Sequence, residues 1–507
     1  MITKIITGGT IGIDGYQVTV EIDMAAGMPS FDIVGLPDSS IKESKERVRS
    51  ALKNNGYNLP DKRITINLAP ADTRKEGSYF DLPIAVGIMA HTGKINKINI
   101  SDVFFAGELS LDGYLRPMNG LLPMVHQCAS LGITRFAVPV ENYREASLIQ
   151  DIEVVGIKHI SDVVKYFENH EKYKHHEEFL NKELDSELDF RHVRGQENVI
   201  RAMTVAAAGG HNILLIGPPG SGKTMMAKRI PTILPDLTLE ESITTTKIYS
   251  VSGQLKNRNE LVKVRPFRAP HHTISYAALV GGGRIIKPGE ISLSHNGVLF
   301  LDELPEFNRN VLEVMRQPLE DREVSISRAS GNIVYPAGFM LVASMNPCPC
   351  GNYGNGNKCT CSTLQISKYL HKISGPLLDR IDIHIEASRI EYKDLGASEY
   401  KSKNTSQNLK EKVIKAREKQ INRYRTNKLN AHMSTSDIDQ YCQLDKTSHG
   451  ILEQAFDTFG LSARAYHKIL KLARTIADID EKENIEIMHL TEAIQYRGLD
   501  RKYFSLT

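Results

Sequence analysis

The sequence NILLIGPPGSGKT, residues 212–224, decides how the centre of this chain folds. Its apolar run predicts a buried strand, and the MMAKRI that follows predicts a helix. The segment between them fits G-x-x-x-x-G-K-[ST], in which glycines let backbone N–H groups surround phosphates at a helix N-terminus. We therefore expect Lys223 to reach the β- and γ-phosphates of a nucleotide and Thr224 to bind Mg²⁺. The residues predicted to bind the nucleotide are Gly217, Pro218, Pro219, Gly220, Ser221, Gly222, Lys223 and Thr224.

Two further apolar runs end in polar side chains suited to the same site. VLFL is followed by Asp302 and Glu303. We expect Asp302 to hold Mg²⁺ and Glu303 to polarise the attacking water, because a hydrolytic site needs both carboxylates. MLVASM is followed by Asn346, which is a candidate sensor of the γ-phosphate, although an Asn before Pro is by itself only a turn signal. Apolar strands separated by helices indicate a parallel α/β sheet.

Two arginines are candidates for contacts with the γ-phosphate. Arg380 stands between a helical segment and a strand, where it could reach across a subunit interface and stabilise charge on a neighbour's nucleotide. The alternative is a local ion pair with Asp379 or Asp382. Arg464 opens a strong helical pattern and is a candidate sensor of the nucleotide in its own subunit, the alternative being a solvated helix face.

The length of 507 residues allows about three domains. We predict a first domain over 1–167 that mixes short strands and helices, and an ATPase core over 190–395. Between them, 168–189 holds eight Asp or Glu against three Lys and is interpreted as an acidic linker. Residues 396–507 are predicted to be mostly helical. The fold class is therefore α/β.

Charge is distributed unevenly along the chain. The total of 63 Lys and Arg against 60 Asp and Glu, a net charge of +3, is too even to indicate a nucleic-acid partner. Residues 401–430, however, hold ten Lys or Arg against two Glu, which suits either a phosphate-binding face or a solubilising one. We find neither a secretory pattern at the N-terminus nor an apolar run long enough to span a bilayer, so we expect a cytoplasmic protein with no membrane partner.

Four of the six cysteines lie within 14 positions, as C-x-C pairs separated by eight residues. Four thiolates suit tetrahedral Zn²⁺, although the spacing is tighter than the usual C-x₂-C knuckle. Reduced free thiols or a redox pair are the alternatives. The candidate zinc ligands are Cys348, Cys350, Cys359 and Cys361.

Two insertions in the ATPase core are candidates for contact with DNA, single-stranded or branched. One carries Arg265 and Arg268 ahead of a glycine-rich turn. The other, EVSISRASGNIVYPA over 323–337, alternates on both sides of a glycine turn and predicts a β-hairpin with Arg328 near its tip. A hairpin arginine is, by itself, more often simply solvated.

Taken together, these motifs resemble the AAA+ ATPases of the magnesium-chelatase-like clade. VRGQENVIRAM (193–203), HHTISYAALVGGG, VLFLDELPEF and MNPCPCG are similar to the ComM/YifB family, and the resemblance covers essentially the whole chain. It implies a homo-hexameric ring with ATP between subunits, and branch migration of DNA in recombination or natural transformation. It also implies that Arg380 is the arginine finger, Asn346 sensor 1 and Arg464 sensor 2, and that a hairpin before sensor 1 points into the ring pore.

The first domain resembles the protease domain of Lon over GSYFDLPIAVGIMA (77–90) and GELSLDGYLRPMNGLLPMVHQCASLGI (107–133). The resemblance places Ile84 at the nucleophile position and Leu122 at the lysine position. Neither side chain can act as nucleophile or base. We therefore expect a non-proteolytic interaction or assembly module.

Three functions compete on these grounds. The first is an ATP-driven ring motor on DNA, and the second is a magnesium-chelatase-type motor that remodels a protein partner. The third, an ATP-dependent protease, is disfavoured by Ile84 and Leu122. The first domain and the hairpin with its basic flanks favour the first function over the second.

Overall fold

The computed structural model describes residues 2–168, 188–255, 260–283, 286–328, 331–354, 358–389, 404–459, 462–499 and 503–504. Most of the predicted acidic linker, 169–187, lies outside these residues. The strands are β1 (Thr3–Ile11), β2 (Asp14–Ala25), β3 (Ser30–Val34), β4 (Arg63–Ala69), β5 (Val103–Phe105), β6 (Glu108–Leu109), β7 (Leu115–Arg116), β8 (Arg135–Pro139), β9 (Glu153–Ile157), β10 (Ile213–Ile216), β11 (Phe267–Arg268), β12 (Gly281–Gly282), β13 (Lys287–Pro288), β14 (Val298–Leu301), β15 (Glu323–Arg328), β16 (Gly331–Pro336), β17 (Met340–Met345) and β18 (Ile383–Glu386).

The helices follow the same numbering along the chain. They are α1 (Ser39–Asn54), α2 (Asp81–His91), α3 (Leu121–Ser130), α4 (Tyr143–Ala146), α5 (Ile160–Glu168), α6 (Glu197–Gly209), α7 (Lys223–Ala227), α8 (Leu239–Ser252), α9 (Tyr276–Val280), α10 (Glu290–Leu293), α11 (Arg309–Val314), α12 (Arg316–Asp321), α13 (Thr363–Leu370), α14 (Gly375–Leu378), α15 (Ser406–Tyr424), α16 (Thr435–Tyr441), α17 (Lys446–Phe459), α18 (Ala463–Ile479) and α19 (Ile487–Gln495). Short 3₁₀ turns occupy Lys97–Ile100, Val140–Asn142, Phe190–His192, Ile230–Ile233, Leu304–Glu306 and Asn430–His432.

The chain forms two compact units. The first is Met1–Lys182 with Leu239–Lys263, and the second is Glu183–Thr238 with Val264–Thr507. Residues 239–263, which the sequence analysis included in the ATPase core, thus belong to the first unit. The contacts within that unit explain why: Ser250 Oγ donates to Glu145 Oε1 at 2.5 Å, and Gly120 N donates to Ser250 O at 3.1 Å.

The first unit is built on a mixed seven-stranded sheet of order β3-β4-β2-β1-β5-β8-β9. Alternation along β2 buries Val18, Val20 and Ile22 completely, so this strand presents one apolar face to the core. Helix α2 contributes a continuous buried segment to the same core, which is why its sequence is apolar all round.

The second unit contains a five-stranded, fully parallel sheet of order β11-β14-β17-β10-β18. The residues of β10, β14 and β17 are all buried, as expected for strands covered on both faces. Helix α15 packs its apolar face, including Leu409, Val413 and Ala416, into the same core. Among the described residues, no helix is both long and apolar enough to cross a membrane.

Candidate active site

The phosphate loop lies between β10 and α7, as the sequence predicts. Gly220 and Gly222 have φ values of +79° and +82°, which favour glycine because it has no Cβ. A Cβ on Gly217 would lie 2.4 Å from the carbonyl oxygen of Ala387, so only glycine fits there without a shift. The backbone of the loop therefore requires glycine at these three positions, and the sequence has glycine at each of them.

Lys223 is held at the centre of the loop. Its Nζ donates to the carbonyl oxygens of Gly217 at 2.6 Å and Pro218 at 3.0 Å, and to Asn346 Oδ1 at 3.2 Å. Burial lowers the pKa of Lys223, and the carboxylates of Asp302 and Glu303 partly oppose that effect. The structure thus brings the predicted lysine and the predicted γ-phosphate sensor into direct contact.

Asp302 and Glu303 line the same cavity as Lys223, and this cavity has a volume of about 440 Å³. Asp302 Oδ2 accepts from Thr224 Oγ1 at 2.7 Å, and Ser344 Oγ donates to Asp302 Oδ1. Neighbouring oxygens of an octahedral Mg²⁺ with bonds of about 2.1 Å lie about 3 Å apart, so this pair fits the ion. Glu303 adopts the left-handed conformation, with φ of +55°, and its side chain is 55% exposed.

Two partners of the carboxylates Asp302 and Glu303 were not predicted. Ser344 donates a hydrogen bond to Asp302 and so orients it. The sequence does contain a sign of this contact, because Ser344 is a hydroxyl residue inside an otherwise apolar buried strand. His272 Nδ1 lies 3.6 Å from Glu303 Oε2. Because His272 precedes Glu303 by some thirty residues without any shared motif, sequence spacing could not have paired them.

Arg380 and Arg464 lie in a second cavity of about 470 Å³, not among the residues that line the phosphate-loop cavity of their own chain. Arg380 Nε donates to Arg316 O at 3.0 Å, and its Nη2 contacts Glu320. The local ion pair is therefore with Glu320, not with Asp379 or Asp382. Arg464 is 70% exposed and lies 3.7 Å from Asp379, so its position does not support contact with the nucleotide of its own subunit.

Arg265 and Arg268, predicted to contact DNA, have partners inside the second unit. Arg265 donates to the carbonyl oxygens of Pro235 at 2.6 Å and Asn296 at 2.8 Å. Arg268 forms a bidentate pair with Glu290, with both N–O distances 2.6 Å. Because these guanidinium groups already donate to backbone carbonyls and to a carboxylate, we do not propose Arg265 and Arg268 as DNA contacts.

The second insertion folds as predicted, with β15 and β16 paired antiparallel from Glu323↔Pro336 to Arg328↔Gly331. In the basic stretch of 401–430, in contrast, some of the arginines have partners within the second unit. Arg417 donates to Ala207 O at 2.7 Å, and Arg423 pairs with Asp478, which is buried. Among the described residues, the hairpin is therefore the better candidate for a DNA contact.

The four cysteines converge. All their Sγ atoms lie within 4.8 Å of one another, and three of the separations are 3.4, 3.7 and 3.8 Å. Tetrahedral Zn²⁺ with Zn–S bonds of about 2.3 Å requires Sγ–Sγ distances of about 3.8 Å, so the cluster fits this metal. Backbone N–H groups of Asn352 and Thr360 lower the pKa of Cys350 to about 5, which favours the thiolate, whereas burial raises the pKa of Cys348 to about 12.

The cysteine cluster also contacts the phosphate loop. A Cβ on Gly351 would lie 2.5 Å from Cδ of Pro219, so the two loops pack against each other with no space between them. A change in the conformation of the cysteine cluster would therefore act directly on the phosphate loop.

The residues that aligned with Lon's dyad are core residues here. Ile84 and Leu122 are both fully buried. Nearby, the buried Asp81 accepts from Arg47 Nε at 2.7 Å and from Leu109 N at 3.2 Å. In the described part of the first unit, these side chains build the core and an arginine–aspartate pair whose carboxylate is fully buried.

A parallel sheet with a phosphate loop after β10, two carboxylates after β14 and an amide after β17 defines a P-loop protein of the AAA+ class, which implies ATPase activity. The family model "Magnesium chelatase, subunit ChlI" matches residues 189–395. "Subunit ChlI of Mg-chelatase" matches 20–142, and "Magnesium chelatase, subunit ChlI C-terminal" matches 403–497.

Relatives that match over nearly their full length identify the family within this class. The chain is 44% identical to competence protein ComM of Haemophilus influenzae, over 97% of this chain and 96% of the relative. It is 42% identical to the uncharacterized protein YifB of Escherichia coli, over 98% and 97%. The chain belongs to the ComM/YifB family of magnesium-chelatase-like AAA+ proteins, as predicted. Lon protease 2 of Bacillus subtilis is 27% identical over 29% of each chain, and the predicted fold class with its Lon-like component is confirmed.

Proposed function

We propose that this protein is an ATP-hydrolysing ring motor that moves along DNA and drives branch migration during recombination or natural transformation in the cytoplasm. The observation that carries the proposal is a complete hydrolytic site within one cavity: Lys223, Thr224, Asp302, Glu303 and Asn346. The similarity of this chain to a competence protein supports DNA as the substrate.

Each side chain of the cavity has a role in the proposed hydrolysis. Lys223 exchanges its contacts with loop carbonyls for the β- and γ-phosphates. Thr224 and Asp302 hold Mg²⁺, which when bound offsets charge on the phosphate oxygens. Glu303 accepts a proton from the attacking water, and Asn346 orients the γ-phosphate.

The arrangement of Arg380 and Arg464 supports a ring. Both lie in a cavity with Arg322, Lys468 and Lys471, so that cavity carries five cations against the three carboxylates of Glu320, Asp379 and Asp382. We propose that this cavity meets the nucleotide of the next subunit in a homo-hexamer, and that Arg380 exchanges Glu320 for the γ-phosphate. Arg464 then acts on the neighbour's nucleotide, rather than in its own subunit as the sequence analysis expected.

Two further assignments belong to the same proposal. The hairpin β15–β16, with Arg328 at the end of its first strand, contacts the DNA backbone. The four cysteines hold a structural Zn²⁺, which stiffens the loop that packs on the phosphate loop. The competing function is a motor of the same type that remodels a protein partner without DNA.

Steady-state ATPase rates with and without a branched DNA separate these two functions. We expect DNA to stimulate the wild type. We expect Glu303→Gln to lower kcat by about 10²–10⁴-fold while ATP still binds, because it removes the general base but no phosphate contact. Glu306→Gln is the matched control, since that carboxylate pairs with Lys372 at 3.1 Å outside the cavity. A wild-type rate that ignores DNA supports the protein-remodelling function, and a Glu303→Gln enzyme with normal turnover contradicts the proposed base.

A further inference from the structure

The sheet of the first unit ends in a strand that has a neighbour on one edge alone. β3 is the outermost strand of that sheet and pairs in parallel with β4. In such a pair, alternate residues direct their N–H and C=O groups away from the partner strand. Among the described residues, no backbone hydrogen bond joins 30–34 to any element other than β4. The outer edge of β3 therefore offers donors and acceptors to a further strand.

The side chains along this edge are mostly apolar. Phe31 is buried, whereas Val34 and the following Leu36 are 47% and 54% exposed. Asp32 is the only charged residue of the strand, and it accepts from Ser30 Oγ at 2.9 Å. Open edges are commonly protected by Lys or Pro, and β3 contains neither. The strand thus lacks two of the usual features that prevent pairing.

Three cations surround the same edge. β3 lines a groove of about 610 Å³, whose walls also include Lys42 and Lys45 of α1 and Arg63 at the start of β4. Asp32 is the only carboxylate among the described residues that line this groove. In the part of the chain that the structure describes, none of the three cations forms an ion pair. The groove therefore favours an anionic ligand.

We propose that this β3 groove, formed by the outer edge of β3 with Lys42, Lys45 and Arg63, is a docking site for an extended acidic segment of a partner protein. The segment adds to the sheet as a further strand. Its backbone pairs with the free edge, and its alternate carboxylates meet the three cations. This interaction surface goes beyond the proposed function and does not depend on DNA as the substrate.

Two other occupants fit the groove less well. The phosphates of DNA accept hydrogen bonds but donate none, so they leave the outward carbonyl groups of β3 without partners. A second copy of this chain would bring its own three cations against these three, because a two-fold contact places identical surfaces face to face. An acidic peptide supplies both backbone donors and the opposite charge.

Fluorescence anisotropy with the full-length chain tests the proposal. The probe is a labelled peptide of alternating Glu and Val, about seven residues long, and the control probe alternates Lys and Val. We expect the Glu peptide to bind and the Lys peptide not to bind, with an affinity that falls as salt screens the ion pairs. No binding of the acidic peptide, or equal binding of the two peptides, overturns the proposal.

Strand pairing is tested with two further peptides that have the acidic sequence. Each carries N-methyl groups on one of the two sets of alternate amides, and a paired strand uses only one set against β3. We expect at least one methylated peptide to bind about ten-fold or more weakly than the parent, because a methylated amide cannot donate to the edge. If both bind as tightly as the parent, the groove recognises charge alone and the proposal is overturned.

The cations are tested in a triple variant of the groove: Lys42→Ala, Lys45→Ala and Arg63→Ala. We expect its affinity for the acidic peptide to fall about ten-fold, the combined value of three exposed ion pairs. Its basal ATPase rate should equal that of the wild type, since the groove lies in the first unit and the phosphate loop in the second. An unchanged affinity for the peptide overturns the proposal.

The matched control removes three exposed cations of the first unit that do not line the groove: Lys53→Ala, Lys94→Ala and Lys158→Ala. This variant has the same net charge as the groove variant, and we expect it to bind the peptide like the wild type. Equal losses in the two triple variants contradict a defined site. A groove variant that loses affinity for duplex DNA but keeps its affinity for the peptide assigns the groove to nucleic acid and overturns the proposal.

Discussion

Replacing Arg268 with alanine should destabilise the second unit and leave DNA binding unchanged. The Arg268 and Glu290 side chains are 26% and 19% exposed, and two hydrogen bonds of 2.6 Å join them. Breaking a buried pair costs about 3–5 kcal/mol, because the remaining charge is left without its partner. Partial exposure reduces this, and we expect a loss of about 2–3 kcal/mol in the free energy of unfolding.

Calorimetry and DNA titration test this prediction together. For a unit of this size the loss corresponds to a fall in Tm of about 4–8 °C. Glu290→Ala should cost a similar amount, and the double variant should cost less than the sum, since it leaves no unpaired charge. A direct phosphate contact by Arg268 would instead lower the salt slope of DNA binding by about 0.9 in the variant. An unchanged Tm together with that lower slope would refute our interpretation.

Three other predictions follow from the structure. Lys223→Ala and Arg380→Ala should each be nearly inactive as ATPases. An equimolar mixture should nevertheless recover about a quarter of the sites, because in the proposed ring each interface takes its phosphate loop and its arginine from different subunits. No recovery in mixed rings would contradict action in trans. Purified protein should contain one zinc per chain, with Zn–S bonds of about 2.3 Å by X-ray absorption. Cys350→Ser should lower the zinc content and raise KM for ATP. Full activity of the metal-free chain would refute the link between the cysteine cluster and the phosphate loop. Asp81→Asn should destabilise the first unit by about 2–4 kcal/mol in urea, whereas Asp102→Asn, a 60% exposed control, should cost less than about 1 kcal/mol; equal losses would contradict a structural role for the buried pair.

The parts of the site that the sequence could predict are those in which chemistry is encoded locally. The phosphate loop requires glycines at fixed spacing, and Asp302 and Asn346 follow apolar strands whose carboxyl ends meet at one edge of a parallel sheet. Lys223 and Asn346, separated by more than a hundred residues, were therefore expected in one cavity and are hydrogen-bonded there.

Other features depended on tertiary partners that carry no local signal. The charge of Arg268 is visible in the sequence, but its partner Glu290 is not, so the sequence predicted a DNA contact and could not predict the ion pair. Likewise, the apolar and hydroxyl side chains of 239–263 do not reveal that Ser250 bonds to Glu145 of the first unit. The contact between His272 and Glu303 illustrates the same point, because it depends on a distance and not on a motif.

The most direct test of the central claim is ATP-dependent branch migration of a synthetic four-way junction by the purified protein. We expect wild-type protein with ATP and Mg²⁺ to convert the junction into its two duplex products. Lys223→Ala, which lacks the phosphate-binding ammonium, should leave the junction intact. Active ATP hydrolysis with no conversion of the junction, or conversion that persists in Lys223→Ala, would contradict the claim that this chain is a DNA motor driven by the site described above.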